Sequence, residues 1–93
     1  MIKTNRYFDG KVASLGAENS SGKWTLGVML AGEYEFETST EEQMTLLSGR
    51  WEVRLPYSEE FTEYPVHESF EIPAGEKFQL KVLEDSGYLC RYL

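Results

Sequence analysis

Short segments with alternating apolar and polar residues make up most of the chain. Residues 33–37 place carboxylates on one face and aromatic rings on the other, and residues 51–55 place apolar residues opposite charges. The same pattern continues in 70–72 and 78–83, and residues 88–93 divide into an aromatic face and a face that carries Arg91. A period of two residues is the signature of β-strands, so these segments predict strands.

Turn signals separate the alternating segments at short intervals, and no helical period extends over three turns. The turn signals are Asp9-Gly10, 18–22, Ala31-Gly32, Ser48-Gly49, Pro73-Ala74-Gly75 and 85–87. The one helix-like stretch, 39–43, is long enough for a turn only. This spacing predicts an all-β fold, a single domain over 1–93, and a nearly closed barrel with one pocket.

Composition limits the partners and the location. Nine Lys plus Arg against sixteen Asp plus Glu give a net charge of −7, which disfavours nucleic acid and anionic membranes but allows one small phosphate in a locally positive pocket. The single cysteine, Cys90, excludes an internal disulfide framework. No apolar stretch reaches membrane length, so the expected location is the cytoplasm.

Two half-motifs of the cupins occur in the expected order. The first cupin motif contains a His-x-His pair, a glutamate and, seven residues later, a glycine. Glu42 and Gly49 match its closing half, whereas Phe36 and Thr38 stand where the histidines belong.

In the second motif, Pro73-Ala74-Gly75 matches the turn, but Phe78 replaces the histidine and Val82 the asparagine. A metal site needs three or four converging N, O or S ligands. We therefore expect an antiparallel cupin (RmlC-like) β-barrel, or jelly roll, without a metal.

Arg91 is the first candidate for a functional residue. An Arg among apolar neighbours must be paired when it is buried, and its planar group suits a carboxylate or a phosphate. A structural salt bridge to Glu42 is an equally good interpretation. Glu42 itself is expected to point into the barrel, where it could bind sugar hydroxyls or act as an acid or base.

Other polar residues have simpler explanations. Glu33, Glu35 and Glu37 form a solvated strand face in the simplest interpretation, although any of them could line a pocket. His67, the only histidine, is expected to be an exposed turn residue, and Cys90 a small core residue with no adjacent base.

Over nearly its whole length the chain resembles the pyrimidine/purine nucleoside phosphorylase family of small cupins. A departure is His67, where the family carries glycine. The segments that carry the resemblance are 7–12, 27–29, 32–36, 41–45, 70–74, 77–82 and the C-terminal Tyr88-Leu89-Cys90-Arg91-Tyr92.

The resemblance implies a homodimeric, metal-independent glycosyltransferase without a cofactor. Such an enzyme cleaves purine and pyrimidine nucleosides with inorganic phosphate to the free base and α-D-ribose 1-phosphate. In that chemistry Arg91 would hold phosphate, and Glu42 or Glu33 would lie beside the sugar. The expected substrate-binding residues are Tyr34, Phe36, Met44, Phe78, Gln79 and Tyr88.

Three other functions are open at this stage: a non-catalytic cupin that binds a small anionic metabolite, a metal-dependent cupin with carboxylate ligands, and a purely structural dimerisation module.

Overall fold

The computed structural model describes residues 1–93 and consists almost entirely of antiparallel strands. The only helical segment is a 3-10 turn, Phe8–Gly10. The strands are β1 (Lys3–Tyr7), β2 (Val12–Asn19), β3 (Gly22–Met29), β4 (Gly32–Glu37), β5 (Glu42–Arg54), β6 (Thr62–Tyr64), β7 (Ser69–Ile72) and β8 (Lys77–Tyr92).

Two long strands, β5 and β8, pair with each other and connect the two halves of the barrel. One half has the order β1-β2-β3-β8-β5-β7, and it uses the C-terminal part of β8 and the N-terminal part of β5. In the other half, β4 pairs with the N-terminal part of β8 and β6 pairs with the C-terminal part of β5. The predicted all-β fold is confirmed.

Two of the predicted turns are wrong, because they lie inside these long strands. Ser48-Gly49 belongs to β5 and residues 85–87 belong to β8. The register between β5 and β8 shifts three times between Leu46 and Trp51, and Gly49 has a φ of 101°. A bulge bends a strand without ending it, and glycine accepts the left-handed backbone that the bend requires. The residues that resemble a turn therefore carry each strand from one half of the barrel to the other.

The inner faces of the two halves form one apolar core. Its centre is aromatic: Phe78 is 1% exposed and stacks on Phe36 with ring centroids 5.7 Å apart, and Phe70 meets Phe78 edge to face. The buried members are Val12, Met29, Tyr34, Met44, Leu46, Trp51, Val53, Phe70, Ile72, Phe78, Leu80, Val82, Tyr88 and Cys90.

Thr38, at one of the missing histidine positions, has a structural role. It follows β4, is 3% exposed, and its hydroxyl donates to the Pro73 carbonyl at 2.6 Å and accepts from the Glu76 N–H at 3.1 Å. The predicted turn 73–75 is present, with Gly75 at a φ of 74°. Thr38 thus ties the end of β4 to the turn that leads into β8.

Candidate active site

The pairing of the strands determines which side chains share the inner face of the barrel, because directly opposed residues of paired strands point to the same side. One row across six strands ends in the core at Phe70; its members are Lys3, Gly16, Thr25, Cys90, Met44 and Phe70. The next row lies nearer the rim of the barrel; its members are Glu18, Lys23, Tyr92, Glu42 and Ile72.

A cavity of about 170 Å³ opens between these rows and the aromatic core. Its wall has an apolar part, with Met29, Phe36, Met44, Phe78 and Tyr88, and a polar part. The polar wall consists of Tyr7, Ser14, Thr25, Glu37, Glu42, Cys90 and Tyr92. The cavity can therefore hold a flat apolar group against the rings while its polar edge contacts hydroxyl and ionisable groups.

Glu42 is the ionisable group whose environment matters most. It is half-buried, and burial raises the pKa of its carboxyl group, an effect that the hydrogen bond from the Cys90 thiol (Sγ to Oε1, 3.4 Å) only partly offsets. A carboxyl group with a raised pKa retains its proton closer to neutral pH, which is the property required of a general acid.

Cys90 does have a carboxyl group beside it, that of Glu42, contrary to the expectation that it has no adjacent base. Burial, followed by the negative charge of Glu42, raises the pKa of the Cys90 thiol far above its ordinary value. A thiol in this environment stays protonated and is a poor nucleophile. Cys90 is buried, as predicted, and it serves as a hydrogen-bond donor to Glu42.

Two tyrosines border the cavity in their neutral forms. Burial is the main cause that raises the pKa of Tyr92 to about 12, and burial also raises the pKa of Tyr88. The ring of Tyr88 lies directly on Gly27, where a Cβ atom would come within 2.6 Å of it. Glycine at position 27 therefore sets the position of one wall of the cavity.

A larger cleft of about 540 Å³ continues from the cavity to the surface, and Tyr7, Thr25 and Tyr92 line both. Two lysines lie on its wall, Lys3 and Lys23. The remaining lining residues are Met1, Asn5, Gly16, Ala17, Glu18, Trp24, Ser39 and Thr40. Small-molecule sites usually enclose about 300 Å³ or more, so a ligand of nucleoside size must occupy both the cavity and part of the cleft.

Five of the predicted site residues meet in the cavity. They are Phe36, Glu42, Met44, Phe78 and Tyr88.

The other four lie elsewhere, and for Arg91 this is a correction. Successive residues of a strand face opposite sides, and because Cys90 and Tyr92 face the cavity, Arg91 lies on the outer face, where it is exposed. It forms no salt bridge with Glu42; the only ion pair in the chain joins Arg50 to Glu63 at the surface.

Glu33, Gln79 and Tyr34 are also absent from the cavity wall. Glu33 is exposed opposite Lys81 in the ladder. The side chain of Gln79 accepts from Arg54 at 2.8 Å and donates to Glu35 at 2.7 Å. The Tyr34 ring belongs to the core, and its hydroxyl donates to the Leu30 carbonyl at 2.6 Å.

Sequence reasoning missed most of the polar wall. Ser14, Thr25 and Tyr92 lie on the cavity wall, and Lys3 and Lys23 lie on the wall of the cleft. A usable signal was present, because Tyr88, Cys90 and Tyr92 share one face of β8. The contributions of β1, β2 and β3 depend on register, which a single sequence does not specify here.

The side chains do not fit the metal that cupins commonly bind. Nowhere in the chain do three or more His, Cys, Asp or Glu side chains converge as ligands. His67 is exposed at a turn with a φ of 74°, as expected for a residue at a glycine position.

Comparison with known proteins identifies the family. The family description "Pyrimidine/purine nucleoside phosphorylase" matches residues 2–92. A protein of that name from Pseudomonas aeruginosa is 50% identical over 92 residues, which is 99% of both chains. The chain belongs to the pyrimidine/purine nucleoside phosphorylase family.

Solved structures show the fold of this family member to be that of a cupin. A crystal structure from Vibrio parahaemolyticus, of a protein of unknown function, superposes with a TM-score of 0.95 at 40% identity and covers 100% of this chain and 99% of its own. A cupin-2 domain from Rhodospirillum rubrum superposes with a TM-score of 0.73 at 15% identity, over 96% of this chain and 67% of the other. None of the helical segments is long and apolar enough to cross a membrane.

Proposed function

We propose that this protein is a nucleoside phosphorylase, a pentosyltransferase that cleaves purine and pyrimidine nucleosides with inorganic phosphate to the free base and α-D-ribose 1-phosphate. The observation that carries the proposal is the position of Glu42. A half-buried carboxyl group with a raised pKa lies on the wall of an aromatic cavity, in a member of this family. Cleavage of a glycosidic bond needs a proton donor at such a position.

The base occupies the cavity in this proposal. Phe36 and Phe78 offer ring faces, and Met44 completes an apolar wall. Every nucleobase has a π-face, so binding by stacking discriminates weakly between purines and pyrimidines. This composition of the wall supports broad base acceptance.

In the chemical step, a phosphate oxygen forms a bond to C1′ of the ribose while the bond from C1′ to the base nitrogen breaks. The bonding electron pair leaves with the base, and Glu42 donates its proton to the departing base. The resulting carboxylate lies near the positive charge that develops on the sugar, which favours the transition state. The attacking dihydrogen phosphate releases one proton to solvent as it becomes ribose 1-phosphate, and Glu42 regains one proton from solvent, so that overall one proton moves from phosphate to base. The α-configured product requires phosphate to enter on the face opposite the base.

The test measures phosphate-dependent release of uracil from uridine and of adenine from adenosine, in the presence of a chelator. We expect Glu42→Gln to lower kcat by about 100-fold or more, since a positioned acid contributes roughly 10²–10⁴-fold. Glu41→Gln, a change of the exposed neighbouring carboxylate, should leave kcat within about twofold. No turnover above the buffer blank would reject the proposal and favour a non-catalytic binding protein.

A homodimer is the second part of the proposal. Leu15, Leu26 and Leu89 face each other in the ladder on the outer side of β2, β3 and β8, with Val28 nearby. Leu15, Leu26 and Val28 are 50%, 45% and 52% exposed. A contiguous exposed apolar surface supports pairing of two copies through this face. Light scattering should give twice the chain mass at micromolar concentration, and a monomer would contradict the pairing.

A further inference from the structure

We propose that Lys3 and Lys23 form the phosphate-binding subsite, in the cleft outside the cavity. The inference rests on the proposed function, because it names where the second substrate of that reaction binds. It also replaces Arg91 in this role, because the Arg91 guanidinium lies on the opposite face of the sheet from the cavity.

The ladder brings the two lysines to the same side as Glu42. Lys23 is directly opposite Tyr92, which is directly opposite Glu42. Two strand spacings separate Lys23 from Glu42, a backbone distance of about 10 Å. An anion held at the Lys23 ammonium group therefore lies on the same side of the sheet as the proposed proton donor, two strands away from it.

Lys3 approaches the same space from β1, with Gly16 between it and Thr25. A Cβ atom at position 16 would meet only the Thr25 methyl at 3.5 Å, the Lys3 Cβ at 3.6 Å and the Lys3 carbonyl at 3.8 Å. The absence of a side chain at Gly16 leaves the cleft open between the two lysines. Two strand spacings across the sheet and two residues along β3 separate Lys3 from Lys23, a backbone distance of about 12 Å that two long, flexible side chains can bridge around one anion.

Both ammonium groups are free to bind an anion. Glu18 is the direct neighbour of Lys23 in the ladder, yet neither lysine forms a salt bridge. They are the only Lys or Arg side chains on the wall of the cavity or the cleft. In a chain of net charge −7, two unpaired cations beside one cleft create the local positive potential that a phosphate needs.

The chemistry of the neighbouring groups fits phosphate. Ser39 and Thr40 supply hydroxyl groups on the same wall, and lysine binds phosphate as a mobile point charge. The burial of the cavity beyond Thr25 and Tyr92 favours the uncharged base there, because an unpaired anion is costly to bury. The charged substrate is therefore expected in the open cleft and the neutral one inside.

The experiment compares Lys3→Met and Lys23→Met with Arg6→Met. Arg6 lies on β1 as well, but it points to the outer face and is exposed, so its loss controls for the change in net charge. We expect each lysine variant to raise the KM for phosphate about tenfold or more, because each loses one charged hydrogen bond to the anion. The KM for uridine should change less than about threefold. The KM for phosphate of Lys23→Arg should lie between those of the wild type and Lys23→Met, because arginine keeps the charge of lysine but not its shape.

A second readout separates this inference from the proposed function. Calorimetric titration of the protein with inorganic phosphate needs no turnover. If phosphate binds the wild type and Arg6→Met but binds both lysine variants about tenfold or more weakly, the subsite stands even where no nucleoside is cleaved. If nucleosides are cleaved and the KM for phosphate is unchanged in both lysine variants, the subsite is wrong and the proposed function remains.

Discussion

Replacing Gly27 with alanine perturbs the cavity wall at a single atom. Gly27 lies on β3 opposite Tyr88 on β8, and an added Cβ would lie 2.6 Å from three atoms of the Tyr88 side chain. Carbon atoms in contact prefer about 3.5–4.0 Å, so the ring must move by about 1 Å. Tyr88 is 5% exposed, and Trp51 packs beside it with ring centroids 6.3 Å apart. The direction open to the ring is the cavity itself.

The expected cost follows from overpacking a closed core, which is about 1–3 kcal/mol. For a domain of this size each kcal/mol lowers Tm by about 4–8 °C, so we expect a decrease of about 5–20 °C. The displaced ring also enters the space proposed for the base. A misplacement of about 1 Å near the reacting groups can cost about 100-fold, so kcat/KM should fall by at least tenfold.

Thermal unfolding and phosphorolysis kinetics measure the two effects, with Gly87→Ala as the matched control. Gly87 precedes Tyr88 on the same strand, and a Cβ there would meet only the Gly27 carbonyl at 3.8 Å, an ordinary contact. We expect the control to keep its activity and to change Tm by a few degrees at most. If Gly27→Ala matches Gly87→Ala in Tm and in kcat/KM, the position of the Tyr88 ring described above is wrong.

Three further substitutions test other parts of the account. Burial raises the pKa of Glu42 above its value in the unfolded chain, so the stability of the folded protein falls as pH rises through the folded-state pKa of this group. Glu42→Gln should therefore raise Tm at pH 8 but not at pH 4. An equal Tm difference at both pH values would contradict the burial effect. Gly49→Ala places a Cβ 2.7 Å from the Asp85 carbonyl oxygen at a φ of 101°, so the free energy of unfolding measured with denaturant should fall by about 3 kcal/mol or more. A denaturation midpoint equal to that of the wild type would show that the bulge tolerates a side chain. Arg91→Ala should leave the KM for phosphate within about twofold; a rise of tenfold or more would return phosphate binding to Arg91.

The strand pattern was predictable because alternation is a local property of the chain. Residues 33–37 form most of β4, and 70–72 lie within β7, as their alternating faces indicate. The interruptions at Ser48-Gly49 and 85–87 are ambiguous in the sequence, since glycine beside a polar residue is typical of a turn and of a bulge alike. Only the pairing of β5 with β8 along their length distinguishes the two, and that pairing is not local.

The candidate site likewise has residues that the local sequence places and residues that only long-range strand pairing places. Glu42, Phe36 and Phe78 could be placed in the barrel from the cupin motif positions, because the motif specifies which strand positions face inward. The outward position of Arg91 follows from its alternation with the buried Cys90, whereas its charge and its place in a family motif do not indicate which face of the strand it occupies. Lys23 had no local signal at all, since its proximity to Glu42 arises from three strands meeting in register.

The most direct test of the central claim is to follow the phosphorus of inorganic phosphate by ³¹P NMR during incubation with uridine and with inosine. We expect a new phosphomonoester signal from α-D-ribose 1-phosphate, formed in equal amount to the free base and lost in Glu42→Gln. Release of base without a new phosphorus signal would show hydrolysis instead, and would contradict phosphorolysis as the reaction of this site.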